Sequence, residues 1–210
     1  MYRNFTEKVI DTVLRNVRAA FGKDELIDGV PYQDWVDFIG TAAPVYLNDY
    51  SQMQLRHSKI SMSFSALLFG PFYFFYRKAW KPAFGFLAAE LLLFVPTLIS
   101  MMQTTGSPLT AGISASALVA LSRIMSFLSF ALMLVRGLYG KWLYRRSAAA
   151  RIRRIRAEFP DPEPRRAVLN AQGGVSIAAC IGAFILLMIV GSLCSMLLGP
   201  DLNALVGTFI

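Results

Sequence analysis

The chain has 210 residues, of which 55% are hydrophobic, and its 21 Lys and Arg residues outnumber its 13 Asp and Glu residues, which gives a formal charge of +8. Long apolar stretches alternate with segments that hold nearly all the ionisable residues, whereas a water-soluble domain interleaves the two more finely. The composition therefore excludes an ordinary soluble domain and favours an integral membrane protein with a basic cytoplasmic side.

The first sixty residues are typical of a small polar module of helices. Asn4 and Glu7 resemble a capping box, and apolar residues at every fourth position predict an amphipathic helix that ends before Gly22. We expect this helix to pack on the rest of the module, with anchoring to a membrane surface as the alternative. Two shorter, aromatic-rich helices are predicted at 31–39 and 44–53.

Residues 62–76 are apolar and aromatic, but the segment is too short for a spanning helix and Gly70-Pro71 interrupts it. A spanning helix needs about 20 residues, and a proline disfavours helix at the residue before it. We therefore predict a re-entrant or interfacial hairpin of helix, break and helix, with both ends in the cytoplasm. If the segment spans instead, the whole N-terminal module lies on the other side.

Three clearer spans follow at 83–102, 112–136 and 175–198. Each can cross a hydrocarbon core of about 30 Å, and the cost of unsatisfied backbone in lipid predicts that all three are helices. The loop 103–111 and the residues after 198 contain no Lys or Arg, whereas the segment between the second and third spans is strongly basic. The positive-inside rule then places the N-terminus in the cytoplasm and the C-terminus outside. The nine basic residues of that segment are Lys141, Arg145, Arg146, Arg151, Arg153, Arg154, Arg156, Arg165 and Arg166.

Two stretches of the sequence, FIGTAAPVYLNDY at 38–50 and SFSALLFGPFYFFYRKAW at 63–80, resemble domain-of-unknown-function family 2628, a family of bacterial membrane proteins. The stretch 138–144 and its basic continuation are similar to a second landmark of that family. Where the family usually has a tryptophan near the start of the hairpin, this chain reads Phe64-Ser65-Ala66. The resemblance implies the topology above and no particular activity. Its motif residues are Phe69, Gly70, Pro71, Phe72, Tyr76, Arg77 and Lys78.

Two ionisable residues lie away from the ends of the predicted spans, Glu90 within the first and Arg123 near the middle of the second. Ionisable groups in hydrocarbon are costly and usually face a partner or a cavity, so we expect Glu90 and Arg123 to contact each other. An ion pair that locks the helices together is the plainer interpretation. A transport or proton pathway is the alternative.

After the second span, an apolar stripe from Tyr144 to Phe159 runs among arginines until Pro160 ends the helix. This pattern predicts a basic amphipathic helix on the cytoplasmic surface. We expect it to contact anionic lipid headgroups, with an acidic protein partner as the alternative and nucleic acid disfavoured. The contact residues that we predict are Trp142, Arg145, Arg146, Arg151, Arg153, Arg154 and Arg156.

Motifs for catalysis or metal binding are not found in the sequence. Its one histidine, His57, lies between basic residues, and Cys180 and Cys194 are too far apart on one helix to form a disulfide. We therefore expect no catalytic residues, no metal and no cofactor.

The sequence as a whole predicts an all-α membrane protein of the bacterial inner membrane. We divide it into a polar module at 1–60, a hairpin at 61–81, two spans at 82–138, a basic helix and proline-rich loop at 139–174, and a third span with a short outer tail at 175–210. We expect a non-enzymatic accessory or scaffold protein that binds anionic phospholipid, a membrane-protein partner or a second copy of itself. The alternative is a small transporter or channel component.

Overall fold

In the computed structural model, residues 26–104 and 112–198 are described, and they are mostly helical. The amphipathic helix predicted before Gly22 lies outside these residues. The described chain begins with a hairpin of two short antiparallel strands, β1 (Leu26–Ile27) and β2 (Val30–Pro31). Both turn residues, Asp28 and Gly29, have positive φ, as a two-residue hairpin requires. The all-α prediction missed this hairpin, since two residues per strand leave no alternation to detect.

Two short helices follow the hairpin, α1 (Tyr32–Ile39) and α2 (Ala43–Leu55), joined by a 3₁₀ turn at Gly40–Ala42. They confirm the two helices predicted for this part of the chain. The interrupted apolar segment then forms α3 (Phe64–Phe69) and α4 (Pro71–Tyr76). The Ser63 side chain caps α3 by accepting a hydrogen bond from the Ala66 N–H.

Three helices are long and apolar enough to span a membrane, as predicted. They are α5 (Trp80–Thr104), α6 (Ala115–Glu158) and α8 (Ile177–Leu198), with the short polar helix α7 (Pro162–Gln172) before the last. Helix α6 has 44 residues and is therefore about 66 Å long, roughly twice the thickness of a hydrocarbon core. The predicted second span and the basic helix are thus one continuous helix.

One face of the basic half of α6 is buried against the N-terminal elements. One hydrophobic core contains Trp35, Tyr50, Ile152 and Leu169, all of which are fully buried. The segments that the sequence treats as separate, before residue 60 and after 139, therefore form one body, which we call the polar unit (residues 26–55 and 139–172). The apolar stripe of the predicted basic helix faces the core of this body. The stripe residues buried in this way are Tyr144, Ala148, Ile152 and Ile155.

Ion pairs join the two parts of the polar unit. Arg145 donates hydrogen bonds to both carboxylate oxygens of Asp28, at 2.6 and 2.5 Å, and to the carbonyl of Tyr50. Asp34 and Asp37 are nearly buried and face arginines of α6 and α7. The acidic groups of the first segment thus compensate part of the basic charge of the second. The remaining pairs are Lys141 with Asp49, Arg156 and Arg165 with Asp34, and Arg166 with Asp37.

Candidate anion-binding cavity

The break between α3 and α4 is held in place by a buried arginine, Arg136. Its Nε donates a 2.8 Å hydrogen bond to the carbonyl of Ala66, and its Nη2 donates one of 3.4 Å to the carbonyl of Leu67. These carbonyls belong to the last turn of α3, where helical carbonyls have no partner within the helix and a cation is favourable. Gly70, with φ 60°, lies so near that an added Cβ would come within 3.2 Å of the Arg136 guanidinium. The glycine therefore provides both the left-handed turn and the space for this arginine.

The same guanidinium pairs with Glu90 of α5 through Nη1. The prediction that Glu90 contacts Arg123 is therefore wrong. Arg123 is exposed on α6, and within the described residues it makes no hydrogen bond or ion pair. Helical geometry explains the error, because the two arginines lie 13 residues, or about 20 Å, apart along α6, and only Arg136 is at the level of Glu90.

Helix α3 approaches α6 closely at two glycines. A Cβ added at Gly140 would lie 2.6 Å from the Cβ of Ala66, and one added at Gly137 would lie 2.6 Å from a methyl group of Leu67. Backbone amides of Ser61 and Ser63 donate hydrogen bonds to the carbonyls of residues 138 and 137 of α6. Helix α3 is thus fixed to α6, and this contact determines where the next helix, α4, places its side chains.

Arg77, the residue after α4, lies in a cage of tyrosine rings. Its guanidinium carbon is 4.4 Å from the ring centroid of Tyr46 and 5.7 Å from those of Tyr76 and Tyr144. Contacts of this kind between a cation and aromatic faces contribute about 2 kcal/mol when desolvated. Arg77 is only 8% exposed, and its Nε and Nη1 atoms have no hydrogen-bond partner in the described part of the chain. No carboxylate of the described residues forms an ion pair with it.

Burial keeps Tyr144 and Tyr50, near Arg77, as neutral hydrogen-bonding groups. The Tyr46 and Tyr73 hydroxyls lie 3.1 Å apart, at hydrogen-bond distance. Burial raises the pKa of Tyr144 to about 12, against a smaller opposing effect of Arg77, and burial raises the pKa of Tyr50 well above its ordinary value. Because Tyr144 and Tyr50 are neutral at neutral pH, neither hydroxyl neutralises the positive charge of Arg77.

A cavity of about 310 Å³ lies beside Arg77, near the small end of the range for ligand pockets. Ser65 and Phe69 on its wall are exposed, so the cavity opens to the surface beside α3. Its lining is mainly aromatic and apolar, and it includes the buried guanidinium of Arg77. Such a site suits an anion that carries an apolar chain. The lining residues are Tyr46, Ser65, Phe69, Phe72, Tyr73, Tyr76, Arg77 and Cys180.

The motif around the helix break has structural roles as well. Pro71 is the first residue of α4, where its missing N–H costs no hydrogen bond. The carbonyl of Tyr76 accepts a 2.8 Å hydrogen bond from the Ser176 amide, which fixes the start of α8 against α4. Lys78 donates a 2.7 Å hydrogen bond to the Gly173 carbonyl after α7. The motif thus builds the cavity and joins it to the polar unit.

The seven predicted contact residues of the basic segment fall into two groups. Four arginines bind within the protein: Arg145 and Arg156 pair with Asp28 and Asp34, Arg151 donates to the carbonyls of Lys78 and Gln172, and Arg153 donates to the carbonyl of Asp28. Arg146 and Arg154 are exposed. The Trp142 ring lies 5.4 Å from the Lys59 ammonium and 5.7 Å from the Arg146 guanidinium. The sequence could not separate these groups, since all lie in one arginine-rich run.

Within the described residues, no group of three or more His, Cys, Asp and Glu side chains is placed to hold a metal ion. His57 is exposed in the turn after α2, with φ 47°. The sulfur of Cys180 donates a 3.2 Å hydrogen bond to the carbonyl of Phe72. These residues therefore belong to a turn and to the wall of the cavity.

Residues 18–150 match the model of a family described as "Protein of unknown function (DUF2628)". Because the match covers more than half of the chain, the protein belongs to this family. No curated protein and no solved structure matches the chain. The matched region contains the Arg77 cage and the Arg136 contacts but ends before Cys180 and α8. The family description assigns no activity, so the function has to be argued from these side chains.

Proposed function

We propose that this DUF2628 protein is a non-enzymatic accessory or scaffold protein of the bacterial inner membrane that binds anionic phospholipid headgroups at its cytoplasmic surface. The observation that carries the proposal is the cluster of Lys59, Trp142 and Arg146, which we call the Trp142 cluster. Two cations flank one indole ring there, and neither forms an ion pair with an acid of the described chain.

The Trp142 cluster lies where α6 changes from apolar to basic. The nearby segment before α3 and the first residue of α3 present three exposed apolar side chains, Ile60, Met62 and Phe64. Indole rings concentrate at the headgroup level of membranes, and each cation near an anionic leaflet contributes about 1 kcal/mol. Apolar side chains beside two unpaired cations and a tryptophan suit the boundary between acyl chains and headgroups.

The first residues of the other two spanning helices also suit the boundary between acyl chains and headgroups at the Trp142 cluster. Helix α5 begins with the exposed Trp80 and Phe84, and the amide of Ser176, just before α8, is bonded to the end of α4. With this boundary on the cytoplasmic side, the polar unit and the N-terminus lie in the cytoplasm and the C-terminus lies outside. Helices α3 and α4 then form an interfacial hairpin, whose exposed Leu68 and Phe69 face acyl chains.

A transport function has less support from the polar groups inside the apolar region. Glu90 and Arg136 bind each other, and Arg136 also binds two backbone carbonyls, so neither is free to carry an ion. Arg123, the third such group, lies apart from them on an exposed face. A fixed ion pair that positions a hairpin suits a scaffold better than a pathway.

Quantification of the phospholipids that co-purify in mild detergent tests the proposal. We expect anionic phospholipid to be enriched over its share of the source membrane, and Arg146→Gln to reduce the enrichment. Arg154→Gln is the matched control, because Arg154 is also an exposed arginine of α6 but lies about 12 Å further from the apolar half. Equal effects of the two substitutions, or the absence of enrichment in the unaltered protein, would contradict a specific role of the Trp142 cluster.

A further inference from the structure

We propose that the cavity beside Arg77 is a specific site for one anionic phospholipid, with the headgroup phosphate on the Arg77 guanidinium. This inference rests on the proposed function, because it assumes that the cavity opens toward a bilayer. It differs from the Trp142 cluster in kind, since a buried cavity binds a single molecule whereas an exposed cluster attracts many.

The charge of Arg77 is the first argument. More than nine-tenths of the residue is buried, and charged groups buried to this degree are normally paired. The rings of the surrounding tyrosines compensate the charge in part, and the Tyr46 and Tyr144 hydroxyls also interact with the guanidinium. Nε and Nη1 nevertheless have no hydrogen-bond partner within the described residues. A phosphate oxygen fits these donors well, because charge-assisted bonds between guanidinium and phosphate are among the strong ones.

The polar neighbours of Arg77 complete a headgroup site. Tyr46 and Tyr73 both line the cavity, and their hydroxyls are 3.1 Å apart. A hydroxyl pair of this kind can donate one hydrogen bond outward while the other stays within the pair. The cavity therefore offers an anion one full positive charge and a hydroxyl donor, and its lining contains no acidic side chain.

The shape of the cavity selects a ligand with an apolar chain. Besides Arg77, the wall includes Phe72, Cys180 and Phe69, and Phe69 is exposed at the surface. Outside the opening, α3 presents Phe64, Leu68 and Phe69, which are 65 to 73% exposed. The cavity has room for a phosphate and the first part of a chain, and the rest of the chain lies along this apolar face. Inorganic phosphate would leave the aromatic wall without a partner.

Binding to the delipidated full-length protein in detergent tests the site, with three probes: short-chain phosphatidylglycerol, short-chain phosphatidylcholine and inorganic phosphate. We expect phosphatidylglycerol to bind one to one and the other two to bind at least about tenfold more weakly. Arg77→Gln should weaken phosphatidylglycerol binding by at least about tenfold, since the buried charge is lost. Arg56→Gln, which removes an exposed arginine after α2 that does not line the cavity, should leave it unchanged.

A second measurement keeps the test valid if Arg77→Gln fails to fold. Cys180 lines the cavity, so in a Cys194→Ser background phosphatidylglycerol should slow alkylation of Cys180 and phosphatidylcholine should not. Equal protection by both lipids, equal binding to Arg77→Gln, or phosphate binding as tightly as phosphatidylglycerol would each overturn the site. If phosphatidylglycerol does not bind in the cavity but Arg146→Gln still reduces the co-purified anionic lipid, the cavity site is refuted and the proposed function is not. Loss of the Arg146 effect would refute the proposed function.

Discussion

Replacing Arg136 by leucine should destabilise the protein far more than the same replacement of Arg123, although both arginines lie in the apolar half of α6. Arg136→Leu removes hydrogen bonds to two carbonyls at the end of α3 and leaves Glu90 without its cation. Loss of one member of a buried ion pair costs about 3–5 kcal/mol. Because the Glu90 side chain is 36% exposed, we expect a value near the low end, about 3 kcal/mol.

A double-mutant cycle with Glu90→Leu isolates the ion pair from the carbonyl contacts. We expect a coupling free energy of at least about 1 kcal/mol between Glu90 and Arg136, and less than about 0.5 kcal/mol between Glu90 and Arg123. Unfolding in mixed micelles with increasing denaturing detergent supplies the free energies. If Arg136→Leu and Arg123→Leu cost the same, or if both cycles give no coupling, then Arg136 does not hold the hairpin as described.

Three further predictions concern packing, charge and pH. Gly140→Ala should destabilise by about 1–3 kcal/mol because its Cβ would overlap that of Ala66, whereas Gly182→Ala, with open space around it, should be neutral or stabilising in the same thermal unfolding assay. Arg145→Met should expose Trp35 to quenching by iodide, since it breaks the bidentate pair that holds the β-hairpin to α6; unchanged quenching would contradict this role. The raised pKa of Tyr144 means that the folded state binds its proton more tightly, so the stability that it contributes is complete below about pH 10 and is lost as the pH rises through about 12. An unfolding temperature that does not fall over this interval in the unaltered protein, or that falls equally in Tyr144→Phe, would contradict the prediction.

The periodic and compositional signals of the sequence predict the long elements well. The three apolar helices, the two short helices before residue 55 and the break at Gly70-Pro71 all lie where the sequence indicates them. The reason is local, because span length, proline and glycine act within a few residues. The β-hairpin at Leu26–Pro31 gives no such signal, since it is formed by one turn and by contacts with distant side chains.

The candidate site depends on contacts that local patterns do not contain. In the sequence, Arg77 and Arg136 look like any arginine near the end of an apolar segment, and the positive-inside rule does not distinguish buried from exposed cations. Their burial follows from how α3 packs on α6, through Gly137 and Gly140, and from how Tyr46 of α2 reaches the end of α4. Glu90 is recognisable in the sequence because it interrupts an apolar run. Its partner depends on which arginine of α6 lies beside it when α5 and α6 pack together, and the sequence does not contain this information.

Lipid quenching of the Trp142 fluorescence tests the central claim most directly. The unaltered protein and Trp142→Phe are placed in bilayers that contain brominated lipid, either anionic or neutral, and the difference between the two proteins reports the lipid next to Trp142. The two cations at this ring form no ion pair within the described part of the chain, and they favour anionic lipid by up to about 2 kcal/mol. The account therefore predicts at least about threefold preferential quenching by the anionic lipid, which high salt reduces. Equal quenching by both lipids would contradict the account.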